Sequence, residues 1–316
     1  MAEYKGIHGT KIQNYTSDPA NPITGQVWYN ETSQTMKVES VTTVGSWATG
    51  GALNTGRGDL SGAGDSNSSG LAFGGEAPTS GGAQAITEQY NGTSWTEVSD
   101  MNSARILAAG NGSTTSALSI GGISGGSKTG NTETWNGSSW TEVNNLNNPR
   151  RDLGSSGTDN TSSLAFGGNG DPPRQVGFTE SWNGTSWTEV SDLNSARRLP
   201  GGSGSDNTNA LCFGGEIPPT NANSALTESW NGSSWTAVSP LNAAKVQVGQ
   251  AGVSNTSALC IGGAGTPNSA ATEEWDGTSW TEIADLNTGR GALAGNGTVT
   301  SALAYGGPSD STATEE

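Results

Sequence analysis

A basic residue stands ten positions after each of six regularly spaced tryptophans. Arg57, Arg105, Arg150, Arg197, Lys245 and Arg290 follow Trp47, Trp95, Trp140, Trp187, Trp235 and Trp280. These six are nearly half of the 13 Lys and Arg in a chain of 316 residues that carries 29 Asp and Glu and a formal charge of -16. Gathered in one place, they would suit a carboxylate, sulfate or phosphate group on a polymer. The competing assignment is internal: each cation would neutralise a recurring acid. That acid would come either from Glu88, Glu133, Glu180, Glu228, Glu273 and Glu315 or from Glu97, Glu142, Glu189 and Glu282. Six copies of one arrangement favour architecture over selectivity for a ligand.

Selectivity is expected where the copies differ, in stretches beginning at Glu76, Ile123, Asn169, Glu216, Ala264 and Pro308. Binding residues concentrate on loops held by a rigid scaffold. The polar candidates there are Lys128, Asp171, Arg174, Glu76 and Glu216, against the alternative that each is a solvated loop residue. The two cysteines, Cys212 and Cys260, occupy equivalent places two residues before a Gly-Gly pair and lack a metal-ligand spacing, which reads as small buried fillers. Neither a metal nor a cofactor is expected. A sequence pI near 4.3 argues against nucleic acid as a partner, because phosphate recognition needs clustered Lys and Arg. No run of 18 apolar residues occurs, so no membrane insertion is expected, and the opening MAEYKGIHGT has no apolar segment of the kind used in export. Asn91, Asn136, Asn183 and Asn231 each begin an Asn-Gly-Ser/Thr triplet that turn chemistry explains without glycosylation.

The elements that must position these residues are set by a repeat. The six tryptophans lie at intervals of 48, 45, 47, 48 and 45, and Gly-Gly recurs with nearly the same period from Gly74 to Gly306. Leu, Ile, Val and Phe number only 44, a composition that by itself would suggest disorder, but 11 Trp at a fixed period do not belong to a disordered chain. Units of about 47 residues, rich in Gly, Ser, Thr and Asn, fit the blade of a β-propeller better than a helical solenoid. Each unit reads as four short strands. In the copy after Arg197 these are RRLPGGSGS, NALCFGG, ALTESW and SSWTAV. Third and fourth strands meet at Asn-Gly, or at Asp276-Gly277 in one copy, which predicts a tight type I′ hairpin. Either that turn or a four-residue loop places Trp182 and Trp187 on one face, so that Trp pairs replace the missing aliphatic core. The ends supply complementary pieces: TATEE at 312–316 matches a third strand, and GSWATGG from Gly45 matches a fourth. The expected fold is all-β, a six-bladed propeller of residues 41–316. Its last blade is closed by an N-terminal fourth strand pairing with three C-terminal strands, and residues 1–40 form an extension with a short hairpin.

With Gly-Gly after the second strand, an aromatic in the third, a Trp in the fourth and an Arg before the first, residues 44 to 316 resemble the kelch repeat family. The resemblance implies that the first strand is innermost and that the six cations ring one mouth of a central channel. It also raises catalysis, because the copper radical oxidases of the galactose oxidase type are kelch propellers. Those need two His, whereas His8 is the only His and lies outside the repeats. Tyr90, beside a hairpin turn, and Tyr305, in a hydrophobic slot of a second strand, do not resemble a sialidase nucleophile, and no enzyme is expected. Residues 12 to 38, with GQVWYN, look like the N-terminal segments that bacteriophage structural and tail-fibre proteins place before a receptor-binding domain. That resemblance implies an exposed virion protein, with residues 1–40 docking on other virion proteins as a symmetric homo-oligomer and the propeller meeting a host-surface glycan. A ligand-free capsid decoration protein and a secreted kelch lectin or carbohydrate-active enzyme are the alternatives.

Overall fold

The computed structural model describes residues 13–17, 19, 27–38, 45–77, 82–170, 172–308 and 311–316. Two compact units divide the chain, Met1–Val44 and Gly45–Glu316, with the boundary slightly beyond residue 40. In the first, β1 (Gln13–Tyr15) lies parallel to β2 (Val27–Asn30), and β2 pairs antiparallel with β3 (Thr35–Val38). Asn30 Oδ1 accepts the backbone N–H groups of Thr32 and Ser33, both at 3.0 Å, and so closes the β2–β3 turn. Val27 to Asn30, the described part of the expected hairpin, is a hairpin strand.

Among the described residues the second unit contains five four-stranded antiparallel sheets and a sixth of three strands. Blade 4 is representative: Gly201–Asp206, Asn209–Phe213, Thr227–Trp230 and Trp235–Val238 pair in that order. The first strands of successive blades touch one another around a closed ring, from Ser61–Ser66 through to Leu293–Thr298 and back. The first strands are therefore innermost. Blade 6 is completed from the other end of the chain. Ala48 and Glu316 exchange two backbone hydrogen bonds of 2.8 Å, and Gly50 N–H donates to Thr314 O at 2.9 Å. This removes the free edges that an open blade would present.

Glycine makes the ring this tight. A Cβ on Gly110 would fall 2.9 Å from Gly62 O and 2.7 Å from Phe73 Cζ of the neighbouring blade. The Gly-Gly doublet has a different cause. Gly214 and Gly215 have φ of 67° and 94° where the chain leaves the second strand, a region costly for residues with a Cβ.

Aromatic rings fill the space between blades. Trp182 lies directly opposite Trp187, with ring centroids 5.3 Å apart, and the pairs at 135/140, 230/235 and 275/280 repeat this at 5.4 to 5.5 Å. Each buried Trp removes about 200 Å² from water, worth roughly 5 kcal/mol, and a tilted pair adds about 1 kcal/mol. The next blade's ring meets the second strand of the one before, as Phe73 meets Trp140 at 4.8 Å and Phe213 meets Trp280 at 5.0 Å. Every fourth-strand indole also donates Nε1–H to the Thr that opens the preceding blade's third strand. Trp140 reaches Thr87 at 3.0 Å, Trp235 reaches Thr179 at 3.1 Å, and Trp95 closes the circle on Thr314 at 3.1 Å.

The hairpin differs from the tight turn expected. Because the two tryptophans pair with each other, four residues form the loop, and only its glycine has positive φ, 87° at Gly184. Asn183 instead caps the loop: its Oδ1 accepts the N–H groups of Thr185 and Ser186, both at 2.9 Å. Asp276 does the same at 2.8 Å, and those backbone donors hold its carboxyl below the usual carboxylate range.

Candidate functional site: the channel mouth

The six repeat cations do not line the mouth. Arg57, Arg105, Arg150, Arg197, Lys245 and Arg290 are at most 4% exposed, and each pairs with the third-strand glutamate of its blade. The ring of exposed cations expected from the spacing is therefore replaced by internal pairs, while Glu97, Glu142, Glu189 and Glu282 on the fourth strands face solvent. In blade 4, Glu228 Oε1 accepts Arg197 Nη2–H at 2.5 Å and Ser195 N–H at 3.2 Å. Its Oε2 accepts both the backbone and side-chain N–H of Asn194 at 2.8 Å. Asn194 Nδ2 reaches on to Trp235 O at 2.9 Å. A buried carboxylate is tolerable only when its lone pairs are satisfied in this way. Asn54, Asn102, Asn147, Asn242 and Asn287 occupy the same place, three residues before each cation, and this recurring Asn is the sequence signal for a structural lock.

What faces the mouth lies two residues further along. Asp59, Leu107, Asp152, Leu199, Gln247 and Ala292 stand just before the six first strands with φ between 51° and 60°. Each such residue costs of order 1–2 kcal/mol, and strain of this kind persists where the surroundings enforce it. Here a chain of backbone hydrogen bonds enforces it. Ala292 N–H donates to Gln247 O, Asp59 to Ala292, Leu107 to Asp59, Asp152 to Leu107 and Leu199 to Asp152, at 2.7 to 3.1 Å.

These residues wall a cavity of about 100 Å³, open to solvent, whose lining is otherwise leucine, alanine, valine, proline, glycine, Ser61 and Gln250. Gln247 Nε2–H donates to Asp59 Oδ1 at 3.3 Å. Burial, followed by the charges of Asp152 and Glu76, pushes the Asp59 carboxyl up to about 6, against the opposing effects of Gln247 and Arg151. Burial likewise raises Asp152, opposed by Arg151, Arg198 and Asn169. Arg198 Nη1 lies 3.4 Å and Arg151 Nε 3.5 Å from Asp152 Oδ2, and Arg198 Nη2 pairs with Glu216 at 2.6 Å. Asp152 Oδ1 is buried with no hydrogen-bond partner. The arrangement offers acceptors to a ligand that brings donors.

The variable loops flank this mouth. Glu76, Ile123, Asn169, Glu216 and Ala264 each donate a backbone hydrogen bond to the residue just before the mouth position of their blade, at 2.7 to 2.9 Å. Of the loop candidates, Glu76 acts on Asp59 through its charge and Glu216 holds Arg198, so both belong to the site. Lys128 reaches along the loops to Gly170 O at 2.5 Å, and Arg174 is exposed. Asp171 lies outside the described residues. Cys212 and Cys260 are buried and free, with burial pushing both thiols up to about 12. Asp59, Asp152, Gln247, Arg151 and Arg198 carry no motif; their signal is that the first and second positions after each repeat cation vary from copy to copy.

No known family profile and no curated protein matches the sequence. Among solved structures, that of YjhT, a kelch-type propeller protein, superposes with a TM-score of 0.66 at 13% identity, covering 84% of this chain and 95% of that one. The fold is a kelch-like β-propeller. At that identity the likeness extends to the architecture, and the residues of this propeller's mouth stand on their own geometry.

Proposed function

We propose that this kelch-like propeller is a recognition module of a bacteriophage virion, carried on an exposed appendage through residues 1–40 and presenting its channel mouth to a host-surface glycan. The observation that carries the reading is the mouth itself. The repeated residues are consumed in locks between blades, whereas the residues that differ between blades converge on one open cavity lined by two carboxylates and two carboxamides. Sugar hydroxyls are the donors most abundant on a cell surface, and binding through loops around a rigid ring needs little ordering on association. The separate N-terminal unit gives such a module its own attachment piece.

Antibody labelling of the propeller on purified particles, viewed by electron microscopy, tests the location. Label at a tail or fibre supports the appendage, label over the capsid supports a decoration protein, and particles without label overturn the virion reading. A secreted carbohydrate-active protein is the second reading, favoured by one observation: a carboxyl held near pKa 6 beside a second one suits acid–base chemistry on glycosides. Release of reducing sugar from host polysaccharide by the wild type, lost in Asp59→Asn, would establish it.

A further inference from the structure

We propose that Gln250 is the specificity-determining residue of the channel mouth, where its carboxamide offers Nε2–H groups to the carbonyl oxygen of an acetamido group on the bound glycan. The sugar rests on the reading of the mouth as a glycan site, whereas the preference for an amide follows from the side chains present. Each innermost strand carries a glycine of positive φ, at Gly64, Gly112, Gly157, Gly204, Gly252 and Gly297. Two residues before these stand Gly62, Gly110, Ser155, Gly202, Gln250 and Gly295. Five blades therefore have at most a hydroxymethyl group at this level of the bore, and only blade 5 has a long side chain there. Gln250 lies against the bare backbone of blade 4, where its Oε1 accepts Gly202 N–H at 2.6 Å. A backbone N–H can only donate, so this bond fixes which end of the amide is oxygen and leaves Nε2, with two N–H groups, bonded to nothing among the described residues. Gln250 lines both the mouth cavity and a second cavity of about 60 Å³ further along the bore, so its carboxamide stands where the two meet.

The rest of the mouth cavity sets what else the ligand must bring. Gln247 Nε2–H is engaged by Asp59 Oδ1 at 3.3 Å, which leaves Gln247 Oε1 and Asp59 Oδ2 as acceptors. Leu60, Leu107, Leu199 and Val248 contribute apolar wall. A secondary amide answers all three features, since its carbonyl accepts, its N–H donates and its methyl group is apolar. Size points the same way. A cavity of about 150 Å³ takes benzene with its six carbons, so one of about 100 Å³ takes roughly four non-hydrogen atoms, the number in an acetamido group. The sugar ring then stays at the opening. A carboxylate of equal size would bring its charge beside Asp59 and Asp152, and a lone hydroxyl would leave the leucines uncovered.

Selectivity follows from the unpaired donor. A site built to hydrogen-bond one group discriminates against a ligand that lacks it, because the polar atoms of the site are then left without partners.

The test uses the full chain and three uncharged probes: N-methylacetamide, the N-acetylglucosamine trimer, and cellotriose, in which a hydroxyl replaces each acetamido group. Amide NMR and calorimetry follow their binding to the wild type, Gln250→Glu and Glu97→Gln. Gln250→Glu keeps an acceptor for Gly202 N–H and replaces the two donors by a second acceptor, and Glu97→Gln removes an exposed charge on a fourth strand. The expected result is that N-methylacetamide shifts the side-chain amide signal of Gln250 and the backbone amide of Gly202. With it, the acetylated trimer should bind the wild type at least about tenfold better than cellotriose, lose that margin in Gln250→Glu and keep it in Glu97→Gln. Equal binding of the two trisaccharides, or a margin unchanged in Gln250→Glu, overturns the acetamido site and leaves a glycan site standing. A shift of the Gln250 signal by N-methylacetamide without binding of either trisaccharide sustains the amide site and overturns the glycan reading, and no binding by any probe overturns both. The wild-type comparison of the two trisaccharides, read at the Gln250 side-chain signal, decides the matter even where Gln250→Glu fails to fold.

Discussion

Replacing Glu228 by Gln tests whether the repeated cations are structural. The side chain keeps its shape, but one of its two acceptor oxygens becomes an amide donor in a place where Arg197, Ser195 and Asn194 all present donors. Arg197, with 0% exposure, then holds a charge with no counterion. Removing one partner of a buried pair typically destabilises by about 3–5 kcal/mol. For a domain of this size about 1 kcal/mol corresponds to roughly 2 °C, so the melting temperature followed by circular dichroism should fall by about 6–10 °C. The double variant Glu228→Gln with Arg197→Met removes the uncompensated charge and fills its volume with an apolar chain. It should lose less than the two single variants summed, by at least about 1 kcal/mol. A single-variant loss below about 1 kcal/mol, or strict additivity in the double, would refute the lock and return the cations to a ligand-facing role.

Two further outcomes follow from the same geometry. Asp59 has a folded-state pKa of about 6 against an ordinary 3.8, so the folded state holds its proton more tightly. The stability from that proton is fully present below about pH 4 and is lost as pH rises through about 6, a swing of up to about 3 kcal/mol. Asp59→Asn should therefore raise the melting temperature by roughly 5 °C at about pH 8 and leave it unchanged near pH 4; an equal effect at both values would contradict the assigned cause. Removing residues 312–316 takes away Glu315, the partner of Arg290, and Thr314, the acceptor of the Trp95 indole. That truncation should cost more than Glu228→Gln and open blade 6 to hydrogen exchange, and unchanged exchange at Ala48 and Gly50 would argue against closure by the N-terminal strand.

The fold was legible because its determinants repeat. The Trp spacing, the Gly-Gly doublet and the two incomplete ends state the blade, its number and its closure. The turn between Trp182 and Trp187 was legible only to the level of which face the rings share. Asn-Gly suits a type I′ turn, but the two indoles gain most by pairing directly, and the Asn side chain can cap a longer loop. The six cations were legible as a pattern whose meaning depended on register. Placing Glu228 two residues before Trp230 and opposite Cys212 turns it toward the loop that carries Asn194 and Arg197. The mouth was the least legible part. Asp59, Leu107, Asp152, Leu199, Gln247 and Ala292 share a backbone conformation and no side-chain chemistry, so only the ring they form in space brings two carboxylates to one cavity.

The most direct measurement is a glycan array probed with the full chain and with Asp152→Asn, after circular dichroism has shown both to be folded. The account predicts that the wild type binds a restricted set of glycans and that this binding drops by about tenfold or more when the buried carboxylate is neutralised. Binding that survives in Asp152→Asn, or no binding by the wild type to any glycan, would contradict the claim that the channel mouth is a recognition site.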